Sequence, residues 1–188
     1  MIDGRAAYRA YLEADRVALG GPHRLNVVWR YQRALRLLEY LSNTNANRIL
    51  VLAARVHHRR LGRMLGFTIA PNVFGPGLSI AHYGTIVVNP AARVGANCRI
   101  HVDVNIGTAA GQTLAAPTIG DNCYIGPGAK LFGPIEIGPN TAIGANAVVD
   151  KSYPSGNVTL GGVPARPISD RGSAGLVILG HRPKPTAD

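Results

Sequence analysis

Two histidines, His82 and His101, are the side chains in this 188-residue sequence best suited to chemistry. An imidazole with an ordinary pKa of about 6.5 can accept a proton from a hydroxyl at neutral pH, which makes it a candidate general base. The two lie nineteen residues apart. A coil of three hexapeptides is about eighteen residues long, so the rings are expected as neighbours on adjacent coils. His101 follows Ile100 at a position filled elsewhere by glycine, so it either orients an acceptor or caps a turn. His23, His57, His58 and His181 read as surface residues of helices and tail. Catalytic zinc needs three converging protein ligands. The repetitive stretch supplies only His82 and His101, and Cys98 and Cys123 lack metal-ligand spacing, so no metal is expected.

The elements that must position these rings are legible as a six-residue repeat. Val94, Ile100 and Ile106 are followed, after an interruption, by Ile119, Ile125, Leu131, Ile137, Ile143 and Val149. Gly95, Gly107, Gly120, Gly126, Gly138 and Gly144 come directly after several of them. This period predicts a solenoid of short strands with one aliphatic side chain per hexapeptide stacked inward. The glycines mark corners that need either a positive φ or no side chain. Counting back from Val94 gives Val88 and then His82, which places a histidine where the repeat puts an aliphatic residue. Ile106 to Ile119 is thirteen residues, one more than two hexapeptides. Residues 109–117 therefore read as a loop leaving the coil, and such loops commonly serve a site.

Helical periodicity occupies residues 5–18, 24–42 and 46–65, with Ile49, Leu52, Val56, Leu61 and Leu65 as the apolar stripe of the last. The expected organisation is a helical segment over 1–66, a solenoid domain over 67–168 and a tail over 169–188 containing Leu176 to Leu179. The net charge of +10 is concentrated in the helical segment, where twelve arginines meet four acids. Arg30, Arg33 and Arg36 sit within amphipathic patterns and read as a solvated face, so nucleic-acid binding is not expected. The apolar run from Ile49 to Ala54 is far shorter than the roughly 20 residues of a membrane span. With no apolar stretch behind Met1–Arg5 and only two cysteines, a reduced, cytoplasmic setting is expected.

The run Gly75-Pro76-Gly77-Leu78-Ser79-Ile80-Ala81-His82-Tyr83-Gly84-Thr85-Ile86-Val87-Val88 resembles the catalytic coil of the serine O-acetyltransferases. Ile125 to Gly133, Ile143 to Val149 and Gly161-Gly162-Val163-Pro164-Ala165-Arg166-Pro167-Ile168 resemble later segments of that family, within the hexapeptide-repeat acyltransferases. The resemblance implies a mainly β fold, a left-handed parallel β-helix with a short N-terminal helical segment. It further implies a homotrimer with acetyl-CoA in the groove between neighbouring subunits, and the amphipathic helices leave pairing of trimers open. His82 matches the catalytic base, with a backbone N–H stabilising the oxyanion. Gly107 and Ala129 match positions along the pantetheine arm, and Lys151 and Arg166 match the region of the CoA phosphates.

The departures concern the acceptor. Thr68 and Ala81 stand where the family carries aspartates, and Ala115 and Ala116 stand near the place of an Arg-His pair. Asp103 is a candidate to orient His82 instead, two residues past His101. Without charges to meet an ammonium and a carboxylate, the expected acceptor is a neutral sugar or saccharide hydroxyl, as in the polysaccharide O-acetyltransferases that the chain also resembles. Serine O-acetylation in cysteine biosynthesis is the alternative, and a non-catalytic scaffold the third reading.

Overall fold

The computed structural model describes residues 1–111 and 115–182. The hexapeptides form three parallel sheets that enclose one aliphatic core. On the first face, Phe67–Ile69, Ile86–Val88, Val104–Gly107, Lys130–Phe132 and Val148–Val149 stack in that order. The second face stacks Arg93–Val94, Thr118–Ile119 and Glu136–Ile137, extended by bridges from Phe74 to Val94 and from Ile137 to Tyr153. The third stacks Ser79–Ile80, Arg99–Ile100, Tyr124–Ile125, Ala142–Ile143 and Thr159–Gly161, closed by antiparallel Arg166–Ser169. The registers align Val88, Ile106, Leu131 and Val149 in one column and Ile80, Ile100, Ile125, Ile143 and Leu160 in another. All are buried, and the fold is a left-handed parallel β-helix.

The register corrects two expectations. Ile106 and Ile119 lie on successive faces, so the corner after Gly107 carries seven extra residues and no face is skipped. Residues 112–114 of that loop lie outside the described residues. His82 is not in an aliphatic column: Ile80, 1% exposed, fills the core position, and eight residues separate it from Val88. Counting in sixes overshoots because this corner is two residues longer than the repeat. His82 therefore stands exposed on the corner.

Glycine and asparagine divide the corner work. A Cβ on Gly120 would lie 2.7 Å from the Pro139 nitrogen, and one on Gly138 would lie 2.2 Å from the Pro154 carbonyl. These glycines admit the next coil; they do not supply a positive φ. That conformation falls to Asn97, Asn122, Asn140 and Asn157, with φ between 52° and 57°. Their side chains form a ladder of hydrogen bonds of 2.9, 2.9 and 3.0 Å along one edge. The tail returns along this edge: His181 exchanges two backbone hydrogen bonds with the Asn97 side chain, at 2.7 and 2.8 Å. Gly180 then packs against Ala14.

Three helices, α1 (Arg5–Ala18), α2 (Val27–Asn43) and α3 (Arg48–Leu65), precede the solenoid. Asn26 and Asn47 cap α2 and α3 by accepting from the N–H groups of Trp29 and Ile49, and Gly66 ends α3 at φ 79°. The inward stripe of α3 is Ala54, His58, Leu61, Gly62 and Leu65; Ile49, Leu52 and Val56 face outward, contrary to expectation. Only one side of this helix meets α2 and the first coil, so periodicity could not decide which of two apolar stripes is covered. His58 is likewise no surface residue, since it is buried with its Nε2 3.0 Å from the Tyr31 hydroxyl. Arg36, read as solvated, is fully buried and pairs with Asp15 and Glu39 at 2.8 and 2.9 Å.

Two stability measurements test this packing. Breaking a buried pair from one side leaves an uncompensated charge, so Asp15→Ala should lower the unfolding free energy by about 3–5 kcal/mol in denaturant titrations. Burial, with Arg59 and His57 nearby, pushes the His58 imidazole down to about 4. The unfolded histidine takes up its proton near pH 6.5 (about the ordinary value), so stability is lost as pH falls from there toward the folded value. His58→Gln should flatten that loss by roughly 1–3 kcal/mol in melts recorded across the range.

Candidate functional site

The residues that follow the third-face core column are Ala81, His101, Gly126, Gly144 and Gly161. This corner edge is where the two histidines meet. The rings of His82 and His101 are 6.2 Å apart between centroids, and His101 is 5.0 Å from the Tyr124 ring. The His82 corner is held from two sides. Gly84 lies at φ 132°, and a Cβ there would come 2.4 Å from a Val102 methyl of the next coil. Beneath it, the Gly84 N–H donates to the Leu65 carbonyl at 2.9 Å, at the end of α3.

Arg99 joins the site although the hexapeptide spacing gives it no role. Its Nε donates to His101 Nε2 at 3.4 Å, which assigns the His101 proton to Nδ1. Burial first, then the Arg99 and His82 charges, hold the His101 imidazole below the ordinary range. His101 is therefore neutral at pH 7, and its proximity leaves His82 without a fixed charge from that neighbour. The signal available in the sequence was the pair spacing: Arg99 precedes Ile100 on the outward side of the strand that delivers His101.

The other anticipated residues are distributed more widely. Asp103 does not orient His82: it turns a left-handed corner at φ 61°, and its carboxylate pairs with Lys130 at 3.2 Å. The ammonium of Lys130 also bonds the Asp103 carbonyl, so both groups are committed along the first face. Ala81 is half-buried directly before His82, with its N–H donating to the Ile100 carbonyl at 3.0 Å. Thr68 faces outward beside Val87 and opens on a cavity between the helices and the solenoid, with no hydrogen bond to His82. Gly107 is half-buried at the start of the long corner. Ala129 is wholly buried and its carbonyl accepts from the Asn105 N–H at 3.0 Å, so its main chain serves the solenoid. Lys151 and Arg166 are exposed at the C-terminal end of the coil, and Arg166 Nη1 donates to the Ala165 carbonyl at 2.8 Å. Ala115 is half-buried and Ala116 packs on the core.

Among the described residues no three His, Cys, Asp or Glu side chains converge as metal ligands, and no helix is long and apolar enough to cross a membrane. What remains is an exposed imidazole beside a neutral one, with a guanidinium at hand. This arrangement can take a proton from a hydroxyl presented to the corner edge.

Fold and repeat together define a hexapeptide-repeat transferase, and residues 116–151 match the family described as bacterial transferase hexapeptide (six repeats). A serine acetyltransferase of Staphylococcus aureus is 32% identical over 163 residues, which cover 86% of this chain and 72% of that protein. The chain belongs to the serine acetyltransferase family. A Mycobacterium tuberculosis serine acetyltransferase is 37% identical over 149 residues, 77% of this chain and 60% of that protein, so this chain spans only part of its length. The crystal structure of serine acetyltransferase from Brucella abortus superposes with a TM-score of 0.75 at 28% identity, covering 90% of this chain and 72% of that one. The Brucella enzyme in complex with coenzyme A matches with a TM-score of 0.70 at 28% identity, over 87% of this chain and 66% of that one.

The environment of His101 can be tested by its titration. Its ring should titrate on the acid side of 6.5 in NMR-detected pH series, and Arg99→Met should move the midpoint upward by removing a neighbouring cation.

Proposed function

We propose that this chain transfers the acetyl group of acetyl-CoA to a hydroxyl, with His82 as general base and L-serine as acceptor. The observation that carries the reading is the exposed His82 on its clamped corner beside neutral His101. It stands on a scaffold related to a serine acetyltransferase across 72% of that protein's length. The coenzyme A complex of the Brucella enzyme supports the donor. The donor would lie in a groove between solenoids of a homotrimer, with Gly107 along its arm and Lys151 and Arg166 toward its phosphates. Such an enzyme works in the cytoplasm, where acetyl-CoA is supplied.

In the proposed step, the acceptor oxygen attacks the thioester carbonyl as its proton passes to the His82 ring. The tetrahedral oxyanion is held by a backbone N–H, and its collapse expels the CoA thiolate, which recovers the proton from His82. Transfer is direct. Burial pushes the Cys123 thiol up to about 11 and the Cys98 thiol well above its ordinary value, so neither supplies a thiolate nucleophile.

Serine is preferred over the saccharide expected from the sequence for two reasons. The relatives are serine acetyltransferases, and Arg99 places a guanidinium beside His101 where a carboxylate could be met. The saccharide is retained as a second reading on one observation. Thr68, Ala81, Ala115 and Ala116 bring no charge to the positions where an amino acid's charged groups would be held.

Thiol release from acetyl-CoA, measured with L-serine, homoserine and a sugar panel, separates the readings. Serine turnover is expected, with His82→Ala reducing kcat by about 10²–10⁴-fold. Turnover of a sugar in the absence of serine activity would favour the second reading. Absence of saturable thiol release with every one of these acceptors would leave the scaffold.

A further inference from the structure

Away from the histidine corner, a cavity of about 630 Å³ lies between α2, α3 and the first coil, a volume within the range of small-molecule sites. Its walls carry apolar surface from Leu38, Ala70, Pro71 and Pro90, while Phe67, Ile69 and Val88 behind them turn their side chains into the solenoid core. Its rim is cationic, because Arg55, Arg59 and Arg63 stand four residues apart along one side of α3. Like charges at this spacing destabilise a helix. No neighbouring group offsets them: among the described residues none of the three makes an ion pair or a side-chain hydrogen bond. The sequence contains no Asp or Glu from residue 40 to residue 102. His58 also lines the cavity, but it is neutral at pH 7 and committed to Tyr31. The charge of the site is therefore that of the arginines and does not vary through neutral pH.

The geometry points to this cavity as a binding site for a small amphiphilic anion, a carboxylate or phosphate headgroup carrying an apolar chain. A bare anion would satisfy the guanidiniums and leave the walls empty, whereas a neutral apolar molecule would do the reverse. A second copy of this chain is a poor occupant, since isologous pairing on this face sets arginines against arginines. The proposal is independent of which acceptor the histidine corner takes.

Calorimetric titration of the full chain with monomeric decanoate, decanol and inorganic phosphate tests it. Saturable decanoate binding is expected, with decanol and phosphate weaker by about tenfold or more. The double variant Arg59→Gln/Arg63→Gln should weaken decanoate by about tenfold, and Ser42→Trp, at the cavity mouth, should block it. Thermal melts of each variant check folding; the arginines are exposed, so their replacement reads out even if Ser42→Trp misfolds. Equal binding of decanol and decanoate, or binding indifferent to the arginine substitutions, would overturn the assignment. Sedimentation with vesicles of anionic phospholipid distinguishes the source of the headgroup. Vesicle binding without monomer binding would make the face a membrane contact and would also overturn the cavity.

Discussion

The structure depends on how the open end of the solenoid is closed. A parallel coil gains its hydrogen bonds from the coil on either side, and the first coil has none beneath it. Its exposed main chain between residues 72 and 80 is taken up by side chains of α1 and α2. Asp15 accepts from the N–H groups of Gly77 and Leu78, Glu39 accepts from Asn72, and Gln32 pairs with both the Leu78 carbonyl and the Ile80 N–H. Arg36 binds the carbonyls of Phe74 and Gly75 while donating three further hydrogen bonds to Asp15 and Glu39. All five guanidinium N–H donors are used, and the Tyr11 ring lies 5.0 Å from the guanidinium carbon. A buried ion pair alone is weak grounds for stability, because an apolar replacement of similar volume often does as well. Here the replacement would strand main-chain groups that have no other partner. The charges serve the coil edge more than they serve one another.

That dependence explains which parts of the molecule could be read in advance. The hexapeptide repeat was legible because each coil imposes the same constraint on its successor, so the column from Ile100 to Leu160 repeats one decision. The burial of Arg36 was not, since it depends on Asp15, twenty-one residues away, and on carbonyls thirty-eight and thirty-nine residues away. A hint existed in the scarcity of acids: Asp15 and Glu39 are two of only four in the first 66 residues, and Glu39 lies one helical turn from Arg36. The corners were legible only in part. Glycine recurs after the core position because the next coil comes too close for a side chain, while asparagine carries the left-handed turn. Both residue types were visible, but only the coil spacing tells which constraint each one meets.

The histidine corner failed the simple count for a related reason. Hexapeptide stepping assumes constant corners, and the first coil is where the chain still adjusts to the helices. The two added residues between Ile80 and Val88 move His82 out of the core column and onto the edge, where it can be reached by solvent. The proximity of His82 and His101 survived because both counts end on the same corner. Arg99 escaped notice since its role depends on the corner's curvature bringing it back to the ring two residues later.

Closing the solenoid end and placing His82 are thus one problem. Gln32 bonds the Ile80 N–H two residues before His82, and the Leu65 carbonyl receives the Gly84 N–H two residues after it. Gly66, where α3 ends, is close enough to Gly84 that a Cβ would meet its carbonyl at 3.0 Å, and Val102 bears on the corner from above. No carboxylate among the described residues bonds the His82 ring, so its direction is inherited from main-chain contacts on both flanks of the corner. A corner oriented by backbone needs no side-chain partner for its ring, and Thr68, beside Val87 on the first face, supplies none. It is correspondingly sensitive to the helices: the layer that closes the coil also fixes the direction of the imidazole.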